Sequence, residues 1–201
     1  MLGLPKSTEV NKQLAKSMIY TKFKMNTKEK AEIDEDISKI TIINEVTATK
    51  INVAEGENVK SFFVLLIQLK RKDFDEKTVI KISKLIPQNM LLILEYDKKA
   101  KLATYNTRLI HSDWNDTENL SIELNGLNLD DIWEKTVMSL EGGFWNEELS
   151  LEENIILREK REKLQKEIAK LEKQARSEKQ PRKKFDLVQK INELKNEFVK
   201  I

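Results

Sequence analysis

The sequence predicts a mixed α+β domain, a sheet flanked by helices around a central strand near residues 61–70, followed by a C-terminal antiparallel helical hairpin. Three observations carry this. Phe62 to Ile67 is the longest unbroken apolar run in the chain, and a strand that is apolar at consecutive positions needs cover on both faces. Helical and strand-like periodicities alternate on either side of that run. From residue 151 onward the composition turns to Glu, Lys, Arg, Leu and Ile, with apolar positions at heptad spacing.

Taken in order, Ser7 and Thr8 can cap a short helix through Tyr20, with Val10, Leu14 and Met18 at four-residue steps. Asn26 or Thr27 caps a second helix over 29–39, with Ile33, Ile37 and Ile40 on one face and Asp34, Glu35 and Asp36 toward solvent. Residues 40–49 are rich in β-branched side chains and read as a strand, Ile51 and Val53 alternate as a further one, and residues 55–58 form a turn. After the central strand, Asp73 or Asp75 caps a helix carrying Val79, Ile82, Leu85 and Ile86, which Pro87 ends. Residues 90–96 form a second buried strand.

Asp97, Lys98 and Lys99 make a tight turn into a second hairpin arm over 101–110. Beyond a loop with Trp114, Ile122 and Leu124 predict a short edge strand. Asn128 or Asp130 opens a helix with Leu129, Ile132, Trp133, Val137 and Leu140 inward. Adjacent glycines seldom lie inside an element, so Gly142 and Gly143 mark a boundary. The organisation is a globular domain at 1–141, a linker at 142–150 whose Phe144 and Trp145 are apolar enough to dock on the body, and a hairpin at 151–201. In the hairpin Leu157, Leu164, Ile168, Leu171 and Ala175 form one seam and Leu187, Ile191, Leu194, Phe198 and Ile201 the other. Pro181 suits the first turn of the second helix.

The 36 basic and 34 acidic residues nearly cancel, so affinity for nucleic acid has to come from a local patch. The absence of Cys excludes disulfides and thiolate metal sites, and a single histidine, His111, argues against a transition-metal centre. No apolar run approaches the roughly 18 residues of a membrane span. The N-terminus lacks the apolar core of a signal peptide, so a soluble cytoplasmic protein is expected.

Four stretches invite a chemical reading. The element order helix, strand, strand, central strand, helix, strand matches the nuclease core named for its PD-(D/E)xK residues. There an acidic residue and a Lys two positions apart share one face of the central strand and hold a metal against phosphate. The matching place reads Gln68-Leu69-Lys70, but Gln is a poor Mg²⁺ anchor, and the upstream carboxylate would be one such as Glu55. Glu45 and Glu57, and Glu32, Asp34 and Asp36 on the preceding helix, are the other carboxylates on offer. The run His111-Ser112-Asp113 invites a relay, yet neighbours on a strand point to opposite faces. Neither G-x-G-x-x-G nor G-x-x-x-x-G-K occurs, so nucleotide binding has no support and no cofactor is expected. At the hairpin tip Arg176, Lys179, Arg182, Lys183 and Lys184 form a basic cluster able to sit on phosphates. Ile155, Ile156, Phe185 and Val188 fall outside the seams and leave apolar surface for the domain, a second copy or another protein.

The segments LGLPKSTEVNKQL, TIINEVTATKINVAEGENVKSFFVLLIQLKRKDFDEKTVIKISKLIPQNMLLILEY, LNLDDIWEKTV and EKQPRKKFDLV cover nearly the whole length. On them the chain resembles the bacterial family known as domain of unknown function 4391 (DUF4391). The resemblance brings no established activity onto any residue. It implies a context: genes beside helicase and DNA-methyltransferase components of restriction-like or phage-defence systems. Two expectations follow. In the first, the protein is a non-catalytic accessory or adaptor that binds a partner such as a helicase or DNA methyltransferase through its hairpin, with possible nucleic-acid contact at the basic tip and a homodimer as a further option. In the alternative, the body is a divergent metal-dependent nuclease using Gln68, Lys70 and Glu55.

Overall fold

The computed structural model describes residues 2–141, 146 and 149–200. It divides into two compact units, Met1–Gly143 and Phe144–Ile201. Gly142, Gly143, Phe144 and Trp145, read above as the boundary and its dock, lie outside the described residues.

The first unit is a seven-stranded, mostly antiparallel sheet with helices. Its strands are β1 (Glu9–Leu14), β2 (Ile37–Thr47), β3 (Ser61–Leu69), β4 (Asn89–Tyr96), β5 (Lys99–Tyr105), β6 (Leu109–His111) and β7 (Asn115–Asp116). The order is β1-β2-β3-β4-β5-β6, with β7 pairing β5. Only β3 and β4 run parallel. A parallel pair needs a crossover, and α4 (Glu76–Ser83) supplies it. The other helices of this unit are α1 (Lys16–Lys22), α2 (Thr27–Asp36), α3 (Ala48–Ile51) and α5 (Leu129–Glu141).

The apolar run is the central strand the sequence predicts. Phe62, Val64, Leu65 and Ile67 are fully buried. Leu65, Ile67 and Leu69 join Ile19 of α1, Ile33 of α2, and Val79 and Ile82 of α4 in one core cluster. On the other face Phe62 meets Trp133 of α5, ring centroids 5.2 Å apart and tilted by 46°. Burying one such side chain stabilises by about 1.5–3 kcal/mol, so burial on both faces makes β3, like β4 beside it, costly to interrupt.

The caps explain where the helices start. Asn26 and Glu29 form a capping box on α2, each side chain accepting the other's backbone N–H at 3.0 Å. Asp75, rather than Asp73, caps α4 by accepting the Lys77 N–H at 2.9 Å. Asn128 accepts the Asp131 N–H at 2.9 Å at the start of α5. Between β4 and β5, Asp97 and Lys98 both have positive φ, 45° and 62°, as a two-residue hairpin turn requires.

Several sequence expectations need correction. Residues 7–20 are not one helix: after a single 3-10 turn at Lys6–Thr8 the chain forms β1, which pairs with β2, and only then α1. The helix ends at Asp36, so Ile37 and Ile40 belong to β2, and Asp36 is wholly buried instead of solvated. Ile51 and Val53 make no strand. Thr47 caps α3, Asn52 takes a left-handed conformation, and Ala54 makes only an isolated bridge to Asn128. Ile122 and Leu124 make no edge strand, and the expected arm over 101–110 is split into β5 and β6.

The second unit holds α6 (Leu151–Ser177) and α7 (Pro181–Lys200). Ser150 and Glu153 form a capping box on α6, and Pro181 is the first residue of α7. Leu171, Ala175 and Ile191 are buried together, with Ile168, Leu187 and Leu194 partly buried around them. Ion pairs Lys160–Glu197 and Glu167–Lys190 link rising positions on α6 to falling ones on α7, so the helices are antiparallel.

Candidate functional site

The polar end of β3 was the first place to test for chemistry. Ile37 pairs with Leu69, which sets Asp36 beside Lys70, and the Lys70 N–H donates to the Asp36 carbonyl at 2.8 Å. The buried Asp36 carboxylate accepts from Arg71 Nε through one oxygen and from the Asp75 N–H, at 2.9 Å, through the other. It fastens the loop after β3 to the junction of α2 and β2. Lys70 Nζ donates to the Asp34 carbonyl, and Gln68 Nε2 donates to Glu95 on β4 at 3.2 Å.

Glu55 is not among these groups. It lies in the segment entering β3, whose first residue, Ser61, is seven steps of roughly 3.3 Å, about 23 Å, from Gln68, and the neighbouring Glu57 N–H is held by Asp130 of α5. The geometry therefore does not assemble Gln68, Lys70 and Glu55. It sets Glu95 beside Gln68, a carboxylate that sequence reasoning missed because the only signal around it was a buried apolar run. His111 Nδ1 lies 3.2 Å from the Ser112 carbonyl. The Ser112 hydroxyl accepts the Leu102 N–H and donates to the Asp113 carbonyl, both at 3.0 Å, so this cluster joins strands.

On the hairpin, Arg176, Lys179, Arg182, Lys183 and Lys184 are all exposed. Among the described residues none of the five is in an ion pair, whereas Lys160, Lys190 and Lys195 each pair with a Glu on the facing helix. Of the four apolar residues expected outside the seams, Ile156, Phe185 and Val188 are 62%, 68% and 42% exposed. Ile155 is not with them: it is 1% exposed, since it stands one residue along α6 and so about 100° around the helix from Ile156. Val199, 83% exposed, replaces it.

On α7, residues 185, 188, 192, 195 and 199 step by three, four, three and four, a second stripe reading Phe, Val, Asn, Lys, Val beside the seam. A family model for a domain of unknown function (DUF4391) matches residues 2–198 of the 201. The chain belongs to that family. No curated protein and no solved structure matches it. Among the described residues of this DUF4391 protein, no three His, Asp or Glu side chains are grouped to hold a metal ion. Among the same residues no helix is long and apolar enough to cross a membrane.

Proposed function

We propose that this DUF4391 protein is a non-catalytic accessory protein whose helical hairpin docks onto a protein partner of a bacterial restriction-like or phage-defence DNA-processing system in the cytoplasm. One observation carries the reading. Among the described residues, helices of 27 and 20 residues share Leu171, Ala175 and Ile191 as a buried cluster, with Leu164 also buried on α6, while Phe185, Val188 and Val199 stay exposed along a second stripe of α7. Two helices with so thin a seam gain from a third surface laid against that stripe. The DNA-processing context rests on the family resemblance, which points to a helicase or DNA methyltransferase as partner. The basic tip supplies a contact to nucleic acid alongside the protein contact.

The test is affinity capture of the tagged protein from its native lysate with nuclease treatment, comparing wild type with a Phe185→Asp, Val188→Asp double variant. A helicase or methyltransferase retained by wild type and lost by the variant supports the reading. Retention by both overturns the assignment to this stripe, and loss from wild type on nuclease treatment moves the contact to nucleic acid at the tip.

A metal-dependent nuclease remains the second reading, favoured by the contact of Gln68 with a carboxylate on the neighbouring strand. In that reading Glu95 takes the part first given to Glu55.

A further inference from the structure

The first unit holds a cavity of about 230 Å³ that the docking reading does not use. Its floor is the sheet: Leu66 and Ile93 lie side by side in the β3–β4 register, and Glu95 follows two residues on, facing the same way. The N-terminal Leu2 and Leu4 form one wall. That wall is fixed by the Ile122 N–H, which donates to the Leu2 carbonyl at 3.0 Å.

The polar atoms around this floor are mostly acceptors. Glu9 and Glu95 bring two carboxylates. One oxygen of Glu95 takes the Gln68 amide at 3.2 Å, leaving the other. Asn44 gives its Nδ2 to the Thr8 hydroxyl at 2.8 Å and so turns toward acceptance as well, while Asn11 adds a second amide. Thr117 Oγ1 is buried and has no hydrogen-bond partner, although it lines the same cavity. No Lys, Arg or His is among the described residues lining the cavity.

These features decide between ligand classes. Two carboxylates repel an anion, and an apolar neutral molecule would strip water from them without replacing it. A metal ion is not favoured, since among the described residues no three His, Asp or Glu side chains are grouped to hold one. We infer that the cavity binds a small organic cation, an alkyl- or arylamine or a guanidine, its N–H groups on Glu95 and Glu9 and its apolar body on Leu66 and Ile93. At about 230 Å³ the cavity is smaller than the roughly 300–1,000 Å³ of drug-sized sites, so the ligand is of fragment size.

The experiment is titration of the full chain by calorimetry and ligand-observed NMR, with benzylamine and agmatine as probes and benzyl alcohol as the neutral control. Saturable one-to-one binding of an amine, at least tenfold tighter than benzyl alcohol, is expected. Glu95→Gln should weaken the amine at least tenfold, with unchanged thermal melting. Since Glu95 also meets Gln68, Glu9→Gln serves as a second variant that leaves that bond in place. The inference is overturned if neither amine binds saturably at millimolar concentration, if benzyl alcohol binds as well, or if both glutamate variants keep wild-type affinity.

Discussion

A Cβ on residue 56 would stand 2.4 Å from Asp130 Oδ1, so the Asp130 carboxylate occupies the space that any residue larger than Gly56 would need. That carboxylate accepts the backbone N–H groups of Glu57, Asn58 and Val59 at 2.7 to 3.2 Å. It thereby holds the turn before β3 against the first turn of α5, two elements 70 residues apart in the chain. Burial pushes the Asp130 carboxyl up, but the three N–H donors and the Lys60 charge outweigh it and hold the group below the usual carboxylate range.

Gly56→Ala should displace this carboxylate, and Asp130→Ala should leave three N–H groups without their acceptor. Each is expected to lower stability by about 1–3 kcal/mol in urea unfolding. The double variant should lose less than the sum, because both changes break one arrangement. Additive losses would show that the two sites act separately.

Alkaline pH should expose the α1–α2 contact. Burial, the hydrogen bond to Asp34 at 2.8 Å and the Asp34 charge push the Tyr20 phenol up to about 12. The unfolded phenol titrates near 10, so the folded state keeps a proton the unfolded state loses. Stability from this contact is complete below about pH 10 and disappears as pH rises through about 12. Absorbance titration of the three tyrosines should show one late step, and Tyr20→Phe should remove it.

The hairpin separates structural from docking residues. Ile191→Ala removes a buried seam residue and should cost about 2–3 kcal/mol of helical stability by circular dichroism. Phe185→Ala, at a position 68% exposed, should leave the melt within about 0.5 kcal/mol while weakening partner capture. Equal loss of helicity in both would mean that Phe185 belongs to the core.

Lys70 distinguishes the two readings of the body. Its exposed side chain donates to the Asp34 carbonyl, so Lys70→Ala should fold normally. The accessory reading expects no Mg²⁺- or Mn²⁺-dependent cleavage of DNA from either protein. Cleavage by wild type that Lys70→Ala or Glu95→Gln abolishes would replace it with the nuclease reading.

Much of the fold was legible because burial is written in runs. Consecutive apolar residues at 62–67 marked a central strand, and the cap choices Asn26 or Thr27 and Asp73 or Asp75 bracketed two helix starts, which fall to Asn26 and Asp75. β1 was not legible, since it is a sheet edge in which only Leu14 is buried. Its identity comes from pairing with β2, a contact between distant segments that local spacing cannot register. Ile33, Ile37 and Ile40 fit a helical face, but the chain changes from helix to strand between the first two, and both geometries bury them. Asp36 misled for a related reason: among neighbouring acids on α2 it alone turns inward, to a partner 35 residues away. Of the site, the basic tip and three of four outer apolar residues were readable from heptad arithmetic. Glu95 and Thr117 were not, because a cavity is a property of packed walls.

The thin seam between α6 and α7 also sets how the molecule breathes. Backbone amides in β3 and β4, enclosed on both faces, open only when the first unit unfolds, whereas α7 is held by a few side chains along one stripe. In hydrogen–deuterium exchange the helical pair is therefore the fast-exchanging region. A partner laid on Phe185 and Val188 has to supply the ordering free energy of that region as it binds. Protection gained across α7, rather than at the contact residues alone, is then the signature of engagement.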